Sequence, residues 1–159
     1  MPLALQPHDD RSYFILPQSP EDAGYYVYGT PGSGAAQYAH PRLMNLIFLV
    51  EQEWCQLSTR KFGIGNISIA NGLYFGHKSH MKGLEVDIRP IRIDGKHLPI
   101  RYTDPQYDRE ATSSLIGLFQ SMSCGKISIF FNDLKIPGVA PLQNHDDHFH
   151  FQFNSAQIR

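Results

Sequence analysis

The hydrophobic pattern of this chain has two periods. From His148 to Phe153 the alternation is strict, with Phe149, Phe151 and Phe153 interleaved by His148, His150 and Gln152. Successive side chains of a strand point to opposite faces, so this predicts a strand with an aromatic core face and an imidazole-bearing polar face. Leu84, Val86 and Ile88 alternate with Glu85, Asp87 and Arg89 and predict a second two-faced strand. Ile127-Ser128-Ile129-Phe130-Phe131 reads as a third, closed by Asn132-Asp133. Gly63 and Gly65 read as breaks, after which Ile67 and Ile69 predict a short strand ended by Asn71-Gly72. Helical spacing takes over along residues 41–59, where Leu43, Leu46, Ile47, Val50, Trp54 and Leu57 form one stripe behind Pro41. Trp54 is read as a core residue. A second helix is predicted over residues 107–123, with Ala111, Leu115, Leu118, Phe119 and Met122 on one side and Asp108 as N-cap.

The remaining segments are turns and loops. Residues 1–40 read as an irregular N-terminal wrap with short extended pieces such as Tyr25-Tyr26-Val27-Tyr28. Within it, residues 29–34 lack the Gly-Lys-Ser/Thr ending of a phosphate loop and read as a plain turn. Residues 93–106 read as a loop with a turn at Asp94-Gly95, and Pro137-Gly138 is a turn ahead of the histidine strand. No internal repeat interrupts this order. The expectation is one α+β domain spanning residues 1–159, a small antiparallel sheet flanked by helices. A length of 159 residues suits one domain. A net charge of −1 with 42% apolar residues excludes a disordered chain and an electrostatic nucleic-acid binder. No apolar run reaches the roughly 18 residues of a membrane span, and residues 1–7 lack the basic start of a secretory signal. Cys55 and Cys124 are expected as two free thiols.

The histidines change the picture from fold to chemistry. His145, His148 and His150 crowd the start of the last strand, and His77, His80 and Asp87 lie in and after the loop leading to the Leu84–Ile88 strand. Singly, each has an ordinary reading, as a solvated strand face, a surface charge or an exposed loop residue. Together they point to a metal site on the polar face of the sheet. A catalytic zinc needs three protein ligands and an open position, and mixed imidazole and carboxylate donors suit it. His80 and Asp87 could meet at one metal if the loop folds back over the strand. His150, on the polar face of a neighbouring strand, would complete the trio. His148, two residues away, is then placed to act as a general base. His8, His40 and His97 have no such company and receive no role.

At this point the residues resemble a known family. Phe62-Gly63-Ile64-Gly65-Asn66-Ile67-Ser68, the stretch Gly76-His77-Lys78-Ser79-His80 through Asp87, Tyr107-Asp108-Arg109, Phe131-Asn132-Asp133 and His145-Asp146-Asp147-His148-Phe149-His150 are similar to the penicillin-insensitive murein endopeptidases. These belong to the wider lysostaphin, D-alanyl-D-alanine peptidase and hedgehog superfamily, and the likeness covers roughly residues 25–153. It implies a zinc peptidase that cuts peptidoglycan peptide cross-links, typically D-alanyl to meso-diaminopimelyl bonds, in the periplasm or cell wall. It implies His80, Asp87 and His150 as zinc ligands, His148 as catalytic base, and His77 and His145 as further active-site histidines. Met81 and Glu85 depart from the family's usual Gln and Asp. With no signal peptide expected, a phage-type lysin or an effector injected by a secretion apparatus fits, with any immunity or delivery partner unknown. The alternatives are a non-catalytic zinc-containing wall-binding module and a cytosolic dipeptidase acting on D-amino-acid peptides.

Overall fold

The computed structural model describes residues 8–18, 22–29, 32–74, 76 and 79–154. Ten elements follow in order: β1 (Phe14–Ile15), β2 (Tyr25–Val27), β3 (Tyr38–Ala39), α1 (Pro41–Leu57), β4 (Phe62–Ile64), a 3-10 turn (Ala70–Gly72), β5 (Glu85–Arg89), α2 (Arg109–Met122), β6 (Ile127–Phe130) and β7 (Phe149–Phe153). The main sheet has the order β2-β4-β5-β7-β6, while β1 and β3 form a separate antiparallel pair. Three of the four pairings in the main sheet are antiparallel, but β2 and β4 run parallel, so the sheet is mixed rather than antiparallel as expected. The reason is connectivity: parallel neighbours need a long crossover, and α1 lies in the connection between β2 and β4.

Both helices bear on the apolar face of this sheet. Trp54 of α1 meets Phe62 of β4 edge to face, with ring centroids 6.5 Å apart. Phe119 of α2 contacts Phe62, Phe149 and Phe151 at 5.4 to 6.2 Å. Phe149, Phe151 and Phe153 are buried as the alternation requires, and fully burying each such side chain contributes roughly 1.5–3 kcal/mol. Trp54 is core, and its indole N–H donates to the Arg60 carbonyl at 2.6 Å. Leu57, the last residue of the predicted stripe, is instead 64% exposed in the final turn of α1. Asp108 caps α2 as expected, accepting from the Ala111 N–H at 3.0 Å. Cys55 and Cys124 are free and exposed. Among the described residues no helix is long and apolar enough to cross a membrane.

The strand expected at Ile67 and Ile69 lies earlier, at Phe62–Ile64. Gly63 and Gly65 are not breaks. A Cβ on Gly63 would come 2.8 Å from the Tyr26 ring, and one on Gly65 2.7 Å from the Tyr28 ring. The glycines leave room for two tyrosines that β2 and its continuation lay across the polar face of the sheet. Residues 66–68 bond instead to the N-terminal segment, Ile67 N–H to the Ala36 carbonyl and Tyr38 N–H to that of Ser68.

His40, unassigned by sequence, caps α1, its Nδ1 accepting from the Arg42 N–H at 3.0 Å. That cap requires a neutral ring, and burial, with Arg42 and Arg11 nearby, holds the His40 pKa below its ordinary value. A lowered histidine pKa contributes stability above the unfolded value, which is lost as pH falls. We therefore expect the wild type to lose more unfolding free energy than His40→Asn between about pH 7 and about pH 5, because an Asn cap does not titrate. Urea denaturation at the two pH values measures the difference, and parallel losses would show that the cap is not pH-linked.

Candidate metal centre

The centre starts from one register. In the β5–β7 pair Asp87 lies opposite His150, and Glu85 lies opposite Gln152. All four side chains share the polar face, behind which Val86, Ile88, Phe149 and Phe151 are fully buried. The Asp87 backbone is fixed from the other side: its carbonyl accepts from the Gly65 N–H and its N–H donates to the Asn66 carbonyl. The third residue arrives from the loop before β5. His80 adopts φ 63°, the left-handed region that costs a non-glycine residue energy and tends to persist where the surroundings enforce it. Here the Glu85 carboxylate accepts the His80 N–H, and the ring is 3% exposed.

Hydrogen bonds decide which nitrogens face inward. His80 Nδ1 lies 3.1 Å from the Ile67 carbonyl, an acceptor only, so that nitrogen carries the proton and Nε2 is bare. His150 Nε2 lies 3.1 Å from Gln152 Oε1, and the Gln152 amide nitrogen donates to Asn154 Oδ1, which fixes the amide orientation. His150 Nδ1 is therefore the bare nitrogen. Both bare nitrogens face Asp87, His80 Nε2 at 3.2 Å from Oδ2 and His150 Nδ1 at 3.1 Å from Oδ1. Lone pairs against a carboxylate repel unless positive charge lies between them, either a proton on a ring or a metal ion. Without metal the proton takes the place: although burial opposes charge on His150, Asp87 and Glu85 outweigh it and raise its pKa to about 9. Burial likewise opposes charge on Asp87, but the His150 and His80 contacts hold its carboxyl well below the usual range.

His80, Asp87 and His150 thus form a group that could hold a metal ion, with one ligand atom from each lying within 4.8 Å of the others. Two imidazoles and a carboxylate match the donor chemistry of a divalent first-row metal. Each imidazole also has the outer hydrogen bond that orients metal-binding histidines.

The other proposed histidines fall differently. His148 precedes β7 and is partly exposed; its Nδ1 lies 2.8 Å from Asp147 Oδ1 and its Nε2 3.8 Å from Asp87 Oδ1. Asp147, which sequence reading passed over, thereby orients the ring. His145 stacks obliquely on His148 at 4.5 Å, and its Nδ1 is bound to the Gln143 carbonyl at 2.9 Å. Burial, with His148 and His150 nearby, lowers the His145 pKa, so its free Nε2 is an acceptor in the neutral ring. His77 lies outside the described residues.

The motifs around the centre are supports. Asn132 donates to Asp146 Oδ1 at 2.7 Å and its N–H to the His145 carbonyl, tying the histidine loop to the end of β6. Tyr107 and Arg109 both donate to buried Asp133 at 2.7 Å, latching α2 to the same corner. Arg11 and Asp9 brace the other side. Arg11 pairs with Asp9 and donates to the carbonyls of Ile69 and Met81, on either side of His80's loop. Asp9 and Arg11 carried no sequence signal, because their role depends on partners dozens of residues away.

Neither known protein-family models nor curated protein sequences match this chain.

Gln152→Leu leaves all three candidate ligands in place but removes the nearer acceptor at His150 Nε2, Gln152 Oε1 at 3.1 Å against Glu85 Oε1 at 3.6 Å. Losing such an outer partner should weaken metal binding by about 10–100-fold. Competition against a chromophoric chelator with zinc or cobalt measures this, and unchanged affinity would show that Gln152 does not orient the ring.

Proposed function

We propose that this chain is a zinc-dependent peptidase that cleaves the peptide cross-links of peptidoglycan, at D-alanyl to meso-diaminopimelyl bonds. The reading is supported above all by one arrangement: the inward-facing nitrogens of two imidazoles converge on Asp87, and an Asp147-oriented His148 stands beside them. A purely structural metal would not need that second unit, which speaks against a wall-binding module. Zinc held by His80, Asp87 and His150 would supply Lewis acidity, polarising a carbonyl and acidifying water at neutral pH.

The chain's own residues account for the proton traffic. With Nδ1–H donated to Asp147, the bare Nε2 of His148 is placed to accept a proton from water and to deliver it to the leaving amine. Asp147 stabilises the imidazolium in between. His145 would stabilise a developing oxyanion only in its protonated form, since its neutral Nε2 accepts rather than donates. Cys55 offers no competing nucleophile: burial and the neighbouring Glu51 push its pKa up, which keeps the thiol protonated.

Space on either side favours an extended substrate over a dipeptide. A cavity of about 940 Å³ borders Glu85 and Gln152 and is walled by Tyr13, His40, Met81 and Phe153. A second, of about 470 Å³, opens around Arg89 at the other end of β5. Open space thus borders both ends of β5, on either side of the centre.

Cleavage of cross-linked muropeptide dimers should stop with a strong chelator, return with zinc and persist in penicillin. His148→Ala should keep its metal and lose on the order of 10²–10⁴-fold in rate. Mass analysis of products and elemental analysis of the variant decide the matter. Chelator-resistant cleavage would sink the metal mechanism, loss of zinc from His148→Ala would exchange the roles of ligand and base, and release of disaccharides would overturn the substrate class.

A further inference from the structure

The polar face continues past the candidate metal centre to Arg89, two residues beyond Asp87 on β5 and therefore on the same side, about 7 Å along the strand. Among the described residues four arginines are neutralised by carboxylates: Arg11 by Asp9, Arg60 by Asp108, Arg92 by Asp94 and Arg109 by Asp133. Half-buried Arg89 has no carboxylate partner among them. Its guanidinium lies 3.8 Å above the centre of the Tyr28 ring, and the Tyr26 hydroxyl is its hydrogen-bonding neighbour. Tyr26 is held in turn by His97, whose ring stacks on it at 4.0 Å and 8°. Arg89, Lys61, His97 and the tyrosines line the roughly 470 Å³ cavity, and among the described residues no aspartate or glutamate does. Burial raises the pKa of both Tyr26 and Tyr28, so neither phenol supplies the missing anion.

An arginine stacked on an aromatic ring keeps the edge of its guanidinium free, and that edge matches a carboxylate with two parallel hydrogen bonds. We propose that Arg89, seated on Tyr28 and assisted by Lys61, forms a carboxylate-binding subsite beside the metal centre. Its ligand is a peptide bearing a free carboxylate on the residue that supplies the nitrogen of the bond presented to Asp87 and His150. The chemical identity of that peptide rests on the peptidase reading above: in a D-alanyl to meso-diaminopimelyl cross-link, the carbon that bears the leaving nitrogen also carries a free carboxylate. The subsite then orients the leaving group on the side where His148 delivers its proton. It also discriminates walls whose diaminopimelyl carboxylate is free from those in which it is amidated.

The test separates binding from cleavage. Two uncleavable probes are used, the L-Ala-γ-D-Glu-meso-diaminopimelate tripeptide with the carboxylate at the D-centre either free or amidated. Calorimetry with the full chain should show the free acid bound at least about tenfold more tightly, the scale of one charged hydrogen-bonded contact. Arg89→Gln should bring the two probes level, Arg89→Lys should keep part of the preference, and Lys61→Gln, at an exposed position, should reduce it several-fold without disturbing the fold. Equal binding of both probes by the wild type, binding of neither, or a preference that survives Arg89→Gln would each overturn the subsite. Cleavage of cross-linked dimers is measured alongside. Dimers cut without a carboxylate preference would leave the peptidase reading and remove the subsite; a preference without any cleavage would do the reverse.

Discussion

The cross-strand pairing of Asp87 with His150 is the constraint on which the rest of the site depends. Strand side chains alternate, so this one register places Val86, Ile88, Phe149 and Phe151 in the core and brings carboxylate and imidazole together on the other face. A slip by one residue would exchange the two faces, burying charge and exposing phenylalanine. The same aromatic burial that stabilises the fold therefore fixes the chemistry, with no separate device to align the two residues.

Electrostatics explains why the surroundings are so specific. Two imidazoles and a carboxylate at about 3 Å tolerate one another only around a positive charge. The Ile67 carbonyl and Gln152 amide direct each histidine's proton outward, and Glu85 holds the left-handed backbone at His80. A proton and a metal ion would compete for the same place, so a metal bound there would release protons and bind more tightly as pH rises. The Asp9–Arg11 pair on one flank and Asn132 on the other keep the two loops that deliver His80 and His148 from drifting.

The polar face is wider than the centre. Gly63 and Gly65 let Tyr26 and Tyr28 lie flat beside β5, and Arg89 rests on the second of them. The parallel β2–β4 pairing is what brings these tyrosines to the sheet. The polar face thus borrows from the N-terminal segment twice, through Arg11 near His80 and through the tyrosines near Arg89.

The sequence by itself determined both helices, the two-faced strands β5 and β7, the aromatic core face and the nearness of His150 to His148. All of these follow from local periodicity, and periodicity is what burial on one side imposes. It also singled out His80, Asp87 and His150, because unusual residues recurred on polar positions. Tertiary structure alone decided the position of β4, where glycines that look like strand breaks serve rings from another strand. It alone decided the parallel edge, because the partner of a short strand is set by the path of the connecting chain. The tautomers around Asp87, the orienting role of Asp147 and the bracing by Asp9, Arg11 and Asn132 belong to the same class. Each depends on where a hydrogen-bond acceptor or backbone N–H sits in space, and only the folded chain sets those positions.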